Sequence, residues 1–235
     1  MFLFDVDNTL IDNDRIIADL RRYLSREVGP GPADEYFAIF EKLRTDLGYA
    51  DYLGALQRYR VIHSRDPHLL AMSSFLVNYP FANRLFPGSL DAVEHAATYG
   101  PTVILSDGDV VFQPRKIERS GLGDLVEGRV LIYVHKEEEL EDVERRYPAD
   151  RYVMIDDKPR ILAAIKKIWG ARVTTVFVRQ GHYAHAPDAA SFGSPDFSID
   201  RIQQLEEHDL EALIGRPRPV QRSAGSEGAR SVEKK

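Results

Sequence analysis

Hydrophobic and polar positions change their spacing several times along the chain, and each change marks an element. Residues 1–4 form an apolar run short enough for one buried strand. It breaks at Asp5-Val-Asp-Asn-Thr-Leu, because Asp and Asn are poor strand formers. After Leu10 the spacing turns helical. Ile16, Ile17, Leu20, Leu24 and Val28 recur three and four apart, with Asp14 or Asn13 as N-cap, and Gly29-Pro-Gly-Pro ends that helix. Three more stripes follow: Tyr36, Phe37, Phe40, Leu43 and Leu47; then Tyr52, Leu53, Leu56, Tyr59 and Ile62; then residues 69–77. Residues 13–84 therefore read as consecutive amphipathic helices without a strand, a small bundle.

From Ser89 the pattern changes again. Ser89 is placed as the N-cap of a helix whose Leu90, Val93 and Ala97 face inward. Short β-branched and apolar runs at 102–105, 130–134, 152–155 and 173–178 then alternate with helical segments at 111–119, 137–146 and 160–169. That order predicts a parallel sheet covered by helices on both faces. Residues 197–199 add an edge strand and 202–214 a last helix. The first strand must join this later sheet, since a lone strand has no partner for its backbone. The fold class is thus α/β: a doubly wound, Rossmann-like core at 1–12 and 85–215, interrupted by an all-helical insertion at 13–84. Residues 216–235, rich in Pro, Arg, Ser and Gly, are expected to be disordered.

Composition narrows the function. The chain is 43% hydrophobic and 29% charged, as in an ordinary soluble globular protein. No apolar run is long enough to span a bilayer, and the first residues lack a signal peptide's basic start. Cysteine is absent, which removes disulfides, thiol nucleophiles and Cys-ligated metals and fits a cytoplasmic protein. The formal charge is −6, but the last twenty residues hold six basic side chains against two acidic ones. The body is therefore near −10, which argues against a nucleic-acid surface.

Chemistry concentrates where the strands end. Asp5 and Asp7 close the first strand. As a pair they suit nucleophilic attack with proton transfer or metal binding; as a common Asx-rich turn they carry nothing. The second strand runs into Ser106-Asp-Gly-Asp, the third into His135-Lys136 and the fourth into Asp156-Asp157-Lys158. In a parallel sheet these ends share one rim, where open α/β sheets bind ligands. Four Asp side chains gathered there repel one another unless a cation intervenes. A hard divalent ion with oxygen ligands, together with Lys136, removes the difficulty, and Mg²⁺ with a phosphate ester is the simplest set that does so.

These residues resemble the motifs of the haloacid dehalogenase-like hydrolases over about residues 1–210. Asp5-Val-Asp-Asn-Thr-Leu is similar to the first motif, Ile104-Leu-Ser-Asp-Gly to the second and Lys136 to the third. Val153-Met-Ile-Asp-Asp is similar to the two-Asp form of the fourth, and the insertion after the first motif resembles the helical-cap class. The resemblance implies that Asp5 attacks phosphorus and forms an aspartyl-phosphate, while Asp7 first gives and then takes a proton. It implies that Ser106 and the N–H of Asp107 bind phosphoryl oxygens, that Lys136 neutralises charge, and that Thr9 orients the first motif. Mg²⁺ is then held by Asp5, the carbonyl of Asp7, and Asp157 or Asp156, with Asp157 favoured. The implied partner is a small phosphorylated metabolite, with no nucleic acid or membrane involved; oligomeric state is not legible.

An Asp at position 7 favours phosphate chemistry, since dehalogenation needs no acid for the leaving group. A sugar-phosphate mutase carries the same motifs, and a non-catalytic phosphate-binding protein can share the fold. Other charged or aromatic groups have plainer explanations. His182 and His185 are expected in a solvent loop without nearby carboxylates, and Arg115 and Lys116 on an exposed helix face. Arg60 and Arg65 are expected on the surface, Lys42 within an ordinary helix, Lys158 as a charge-balancing neighbour of the metal motif, and the cap aromatics mostly in the bundle core.

Overall fold

The computed structural model describes residues 1–187 and 189–215; the expected tail lies outside the described residues. Six strands form the sheet: β1 (Phe2–Phe4), β2 (Thr102–Asp107), β3 (Val130–Tyr133), β4 (Tyr152–Asp156), β5 (Val173–Val178) and β6 (Phe197–Ile199). Their order is β3-β2-β1-β4-β5-β6, and every pairing is parallel. Successive side chains of a strand face opposite ways. Phe2 and Phe4 accordingly enter one hydrophobic core, while Leu3 enters the other with Val103, Leu105 and Met154.

Helices α1 (Asn13–Glu27), α2 (Pro30–Leu47), α3 (Tyr52–Ile62) and α4 (Leu69–Asn78) follow β1 as an inserted cap. Tyr36, Phe37, Phe40, Tyr52 and Tyr59 fill its interior, as the stripes predict. The N-cap of α1 is Asp12, whose carboxylate accepts the Arg15 N–H at 2.9 Å, one or two residues before the expected position. Gly29 separates two helices that follow almost directly: it is the N-cap of α2, and Pro30 takes the first helical position, where no N–H is needed. The two connections between cap and core run antiparallel. Ile11 bridges Leu85, and Asp12 N–H donates to the Arg84 carbonyl at 2.7 Å.

The remaining helices are α5 (Ser89–Ala97), α6 (Phe112–Arg119), α7 (Leu122–Leu125), α8 (Leu140–Arg146), α9 (Pro159–Trp169), α10 (Gly181–Ala184) and α11 (Leu210–Leu213). The short helices α7 and α10 were not expected, and three other segments differ from expectation. The inward face of α5 is Ser89, Ala92, Val93 and Ala96, while Leu90 and Ala97 are exposed. Gly88 is the cap, and Ser89 Oγ donates to the Leu10 carbonyl at 2.8 Å, which turns the helix by one position. The single helix expected over 202–214 is a 3₁₀ segment, Ile202–Glu207, followed by α11; Asp209 caps α11 and divides the two. The helix expected from 137 likewise begins as a 3₁₀ turn, Lys136–Glu138, ahead of α8. No helix among the described residues is long and apolar enough to cross a membrane.

Phe4 is fully buried between neighbours on both sides of the sheet, so Phe4→Ala is expected to cost ~3–5 kcal/mol in urea unfolding. Val61→Ala, at a side chain 82% exposed, should stay within about 0.5 kcal/mol in the same measurement.

Candidate active site

Parallel register assembles the site. Phe4 pairs with Ile104 on one side and Ile155 on the other, so Asp5 stands level with Leu105 and Asp156. Ser106 and Asp157 lie one step further along their strands. The strand order reverses direction between β1 and β4, which is where a doubly wound sheet opens its binding crevice. β2 runs two residues past its expected end, because Ser106 and Asp107 pair with Ile132 and Tyr133.

Lys136 is the hub of this rim. Its ammonium is fully buried and lies 2.5 Å from Asp5 Oδ1 and 2.7 Å from Asp156 Oδ2. Its backbone N–H donates to Asp107 Oδ1 at 2.9 Å. Burial works against the charged lysine, but Asp156, Asp5 and Asp107 outweigh it and hold its pKa well above the ordinary value. The other oxygen of Asp5 accepts from Thr9 Oγ1 at 3.2 Å, so both oxygens of that carboxylate are held.

One oxygen each from Asp5, Asp156 and Asp157 lie within 4.8 Å of one another. Asp157 is wholly buried, and neither of its oxygens has a hydrogen-bond partner. Burial first and the Asp156 charge second push its pKa well up. Burial also raises Asp156, to about 6, with Lys136 pulling against it. Around the rim, Asp5, Asp7, Asp107, Asp156 and Asp157 face the ammonium groups of Lys116, Lys136 and Lys158. The carboxylates at the rim outnumber the ammonium groups beside them, and Asp157 has no partner. That donor set, hard oxygens with one carboxylate unpartnered, fits a divalent cation such as Mg²⁺.

Asp7 lies apart from Lys136. Its Oδ1 is 2.5 Å from the ammonium of Lys116, which is fully buried on α6 and also donates to Asn13 Oδ1 at 3.2 Å. The exposed position expected for Lys116 is therefore wrong. Three residues before it, Gln113 donates to Ser106 Oγ at 2.9 Å. The i, i+3 spacing puts both side chains on one face of α6 and was legible in the chain, although the partners were not. Gly108 allows this approach, since a Cβ there would meet Gln113 Cβ at 2.7 Å.

His182 also departs from expectation. It lies in the short helix α10 rather than in a loop, and the Asp14 carboxylate is close: Nδ1 is 2.6 Å from Oδ1, and the His182 N–H donates to Oδ2 at 2.9 Å. Asn8 completes this contact. It adopts a left-handed backbone, φ 62°, and its amide reaches Asp14 while its carbonyl oxygen accepts from the first N–H groups of α1. Gly181, φ 68°, lies where any Cβ would strike Asn8. Lys158 is half-buried, 4.0 Å from Asp107 and over the Tyr183 ring. Arg60 and Arg65 are on the surface, and Lys42 pairs with Asp46 on α2.

A cavity of about 20 Å³ is lined by Asp5, Asp7, Ser106, Asp107 and, from the cap, Arg44 and Tyr49. It has room for about one water molecule. A second cavity of about 610 Å³ opens beside it and shares Arg44, Lys158 and Tyr183. Arg44, in the last turn of α2, was not anticipated; Tyr49, one of the cap aromatics expected mostly in the bundle core, lies instead in the turn between α2 and α3 that covers the rim.

A parallel sheet with carboxylates at its switch point and a helical cap inserted after the first strand defines a doubly wound, capped α/β protein. The chain belongs to the haloacid dehalogenase-like hydrolases, whose family model matches residues 1–168. A haloacid dehalogenase-like hydrolase from Burkholderia xenovorans LB400 shares 63% identity, with TM-score 0.85 over 88% of this chain and 97% of that one. The hydrolase YfnB from Bacillus subtilis, bound to magnesium, is 15% identical, with TM-score 0.58 over 88% and 96%. The L-2-haloacid dehalogenase from Xanthobacter autotrophicus, with chloropropionic acid covalently bound, is 16% identical, with TM-score 0.56 over 88% and 96%. No curated protein matches the chain by sequence.

The raised carboxylates make a pH prediction. Asp156 titrates at about 6 in the folded protein, above its unfolded value, so folding takes up a proton between the two. The metal-free protein should lose stability as pH rises through about 6. Mg²⁺ should raise Tm more at pH 7.5 than at pH 5, by thermal denaturation, and Asp157→Asn should reduce that increment.

Proposed function

We propose that the protein is a Mg²⁺-dependent phosphatase that hydrolyses a small phosphomonoester metabolite in the cytoplasm through an aspartyl-phosphate. The observation that carries this reading is the charge imbalance at the rim, with Asp157 buried and unpartnered. Asp7 supports it, because a phosphate ester leaves as an alkoxide that needs a proton, whereas a halide does not.

In this reading an oxygen of Asp5 attacks phosphorus, the bond from phosphorus to the leaving oxygen breaks, and Asp7 protonates that oxygen. Asp7 then takes a proton from water, the water oxygen attacks phosphorus, and the bond to Asp5 breaks to release inorganic phosphate. Lys136 and Thr9 orient the nucleophile. The Ser106 hydroxyl, steadied by Gln113, and the N–H of Asp107 receive phosphoryl oxygens. Asp5, the carbonyl of Asp7, and Asp157 with Asp156 would hold Mg²⁺, which supplies charge stabilisation to the phosphoryl group when bound. The cap turn that carries Tyr49 lies over these carboxylates, and its closure on bound substrate would exclude solvent. The larger cavity beyond Arg44 and Lys158 receives the leaving group.

Release of nitrophenol from p-nitrophenyl phosphate should depend on Mg²⁺, stop with EDTA, and vanish in Asp5→Asn. Asp7→Asn should lower kcat on alkyl phosphates by ~10²–10⁴-fold. L-2-chloropropionate should release no chloride. Chloride release without phosphate release would replace this reading with dehalogenation, and interconversion of sugar phosphates without net release would make it a mutase. Phosphate binding without turnover would leave only a binding protein.

A further inference from the structure

Lys116 is the buried charge that the proposed chemistry leaves without a role. Its side chain has no solvent exposure, its ammonium lies 2.5 Å from Asp7 Oδ1, and it donates to Asn13 Oδ1 at 3.2 Å. Stability alone is a poor reason to keep it, since a buried ion pair gains little over apolar packing of the same volume. Its neighbours point elsewhere. Asn13 opens α1 and Tyr52 opens α3, both in the cap, and the Tyr52 hydroxyl donates to the same Asn13 oxygen at 3.0 Å. The Tyr52 ring packs on Phe112 of α6 at 4.6 Å between centres, one turn from Lys116. A core lysine thus grips the Asp7 carboxylate and one cap residue, Asn13, whose side-chain oxygen also holds Tyr52.

Resting on the phosphatase reading, we propose that Lys116 is a positioning residue that holds the Asp7 side chain in line for its two proton transfers, to the leaving oxygen and from the attacking water, only when the cap is seated. When the cap moves away, Asn13 leaves the ammonium and the grip on Asp7 loosens. When it closes, the contact re-forms and the carboxylate regains one orientation. Chemistry is thereby tied to a site closed to solvent. Gln113, on the same face of α6, steadies Ser106, so this helix braces the proton carrier and the phosphoryl-binding hydroxyl together.

A leaving-group series tests this. Steady-state kcat and KM are measured for glycerol phosphate, whose alkoxide needs a proton, and p-nitrophenyl phosphate, whose phenolate does not. Wild type is compared with Lys116→Met, Lys116→Arg, Tyr52→Phe and Asp7→Asn, with folding checked by circular dichroism. Lys116→Met should lower kcat/KM, which reports transfer of the phosphoryl group to Asp5, on the order of 10²-fold for glycerol phosphate and much less for the aryl ester. Lys116→Arg should recover part of the loss, and Tyr52→Phe should show the same selectivity more weakly. If Asp7→Asn discriminates between the esters in kcat/KM while Lys116→Met lowers kcat/KM equally for both, Lys116 is structural and the proposal is wrong. Should Lys116→Met fail to fold, Tyr52→Phe and Lys116→Arg decide, and equal effects on both esters overturn it. A wild type that cleaves neither ester would instead defeat the phosphatase reading itself.

Discussion

Negative charge packed under a protein surface is the constraint on which this molecule depends. Three carboxylates lie buried at the ends of two adjacent strands, and one of them has no partner. Removing a charge from water is costly unless another charge or hydrogen bond compensates. Lys136 compensates Asp5 and Asp156 directly, and it reaches them because β3 ends beside β2 on the same rim. What it leaves over matches a divalent cation. The sheet therefore does more than present loops: its parallel register brings like charges close enough to require a counter-ion.

The cap is bound into the same arrangement. Asn8 sits within the first motif, yet its side chain serves the first turn of α1 and touches the Asp14–His182 pair. Lys116 joins Asp7 to Asn13, and Tyr52 packs against Phe112 across the boundary. The antiparallel connections at Ile11 and Leu85 form a two-stranded hinge next to these contacts. Cap and core are consequently joined at Asp7 through hydrogen bonds, by way of Lys116 and Asn13, and not through the covalent chain alone.

Most elements were legible because hydrophobic periodicity reports which face is buried, and long stripes such as that of α2 leave little ambiguity. Failures came where one polar bond outweighed the stripe. Ser89 binds the Leu10 carbonyl and rotates α5 away from Leu90; Asp209 caps a new helix inside a continuous apolar pattern. Lys116 misled for a related reason. It sits among Arg115, Glu118 and Arg119 in a segment with few apolar residues, which reads as a solvated surface. Its burial becomes visible only when Asp7 and the cap close over it.

Residue types and spacing alone determined a great deal: four strand ends whose polar and charged residues meet at one rim, and a run of helices placed after the first. Those features are local, since strand ends and caps are decided by neighbours a few positions away. Which charge meets which was decided by tertiary structure. Lys136 lies 131 positions from Asp5 and Lys116 lies 109 from Asp7. An ion pair depends on distance and on exclusion of water, and both arise only when distant segments pack together. The chain names the groups that can react; the fold assigns their partners.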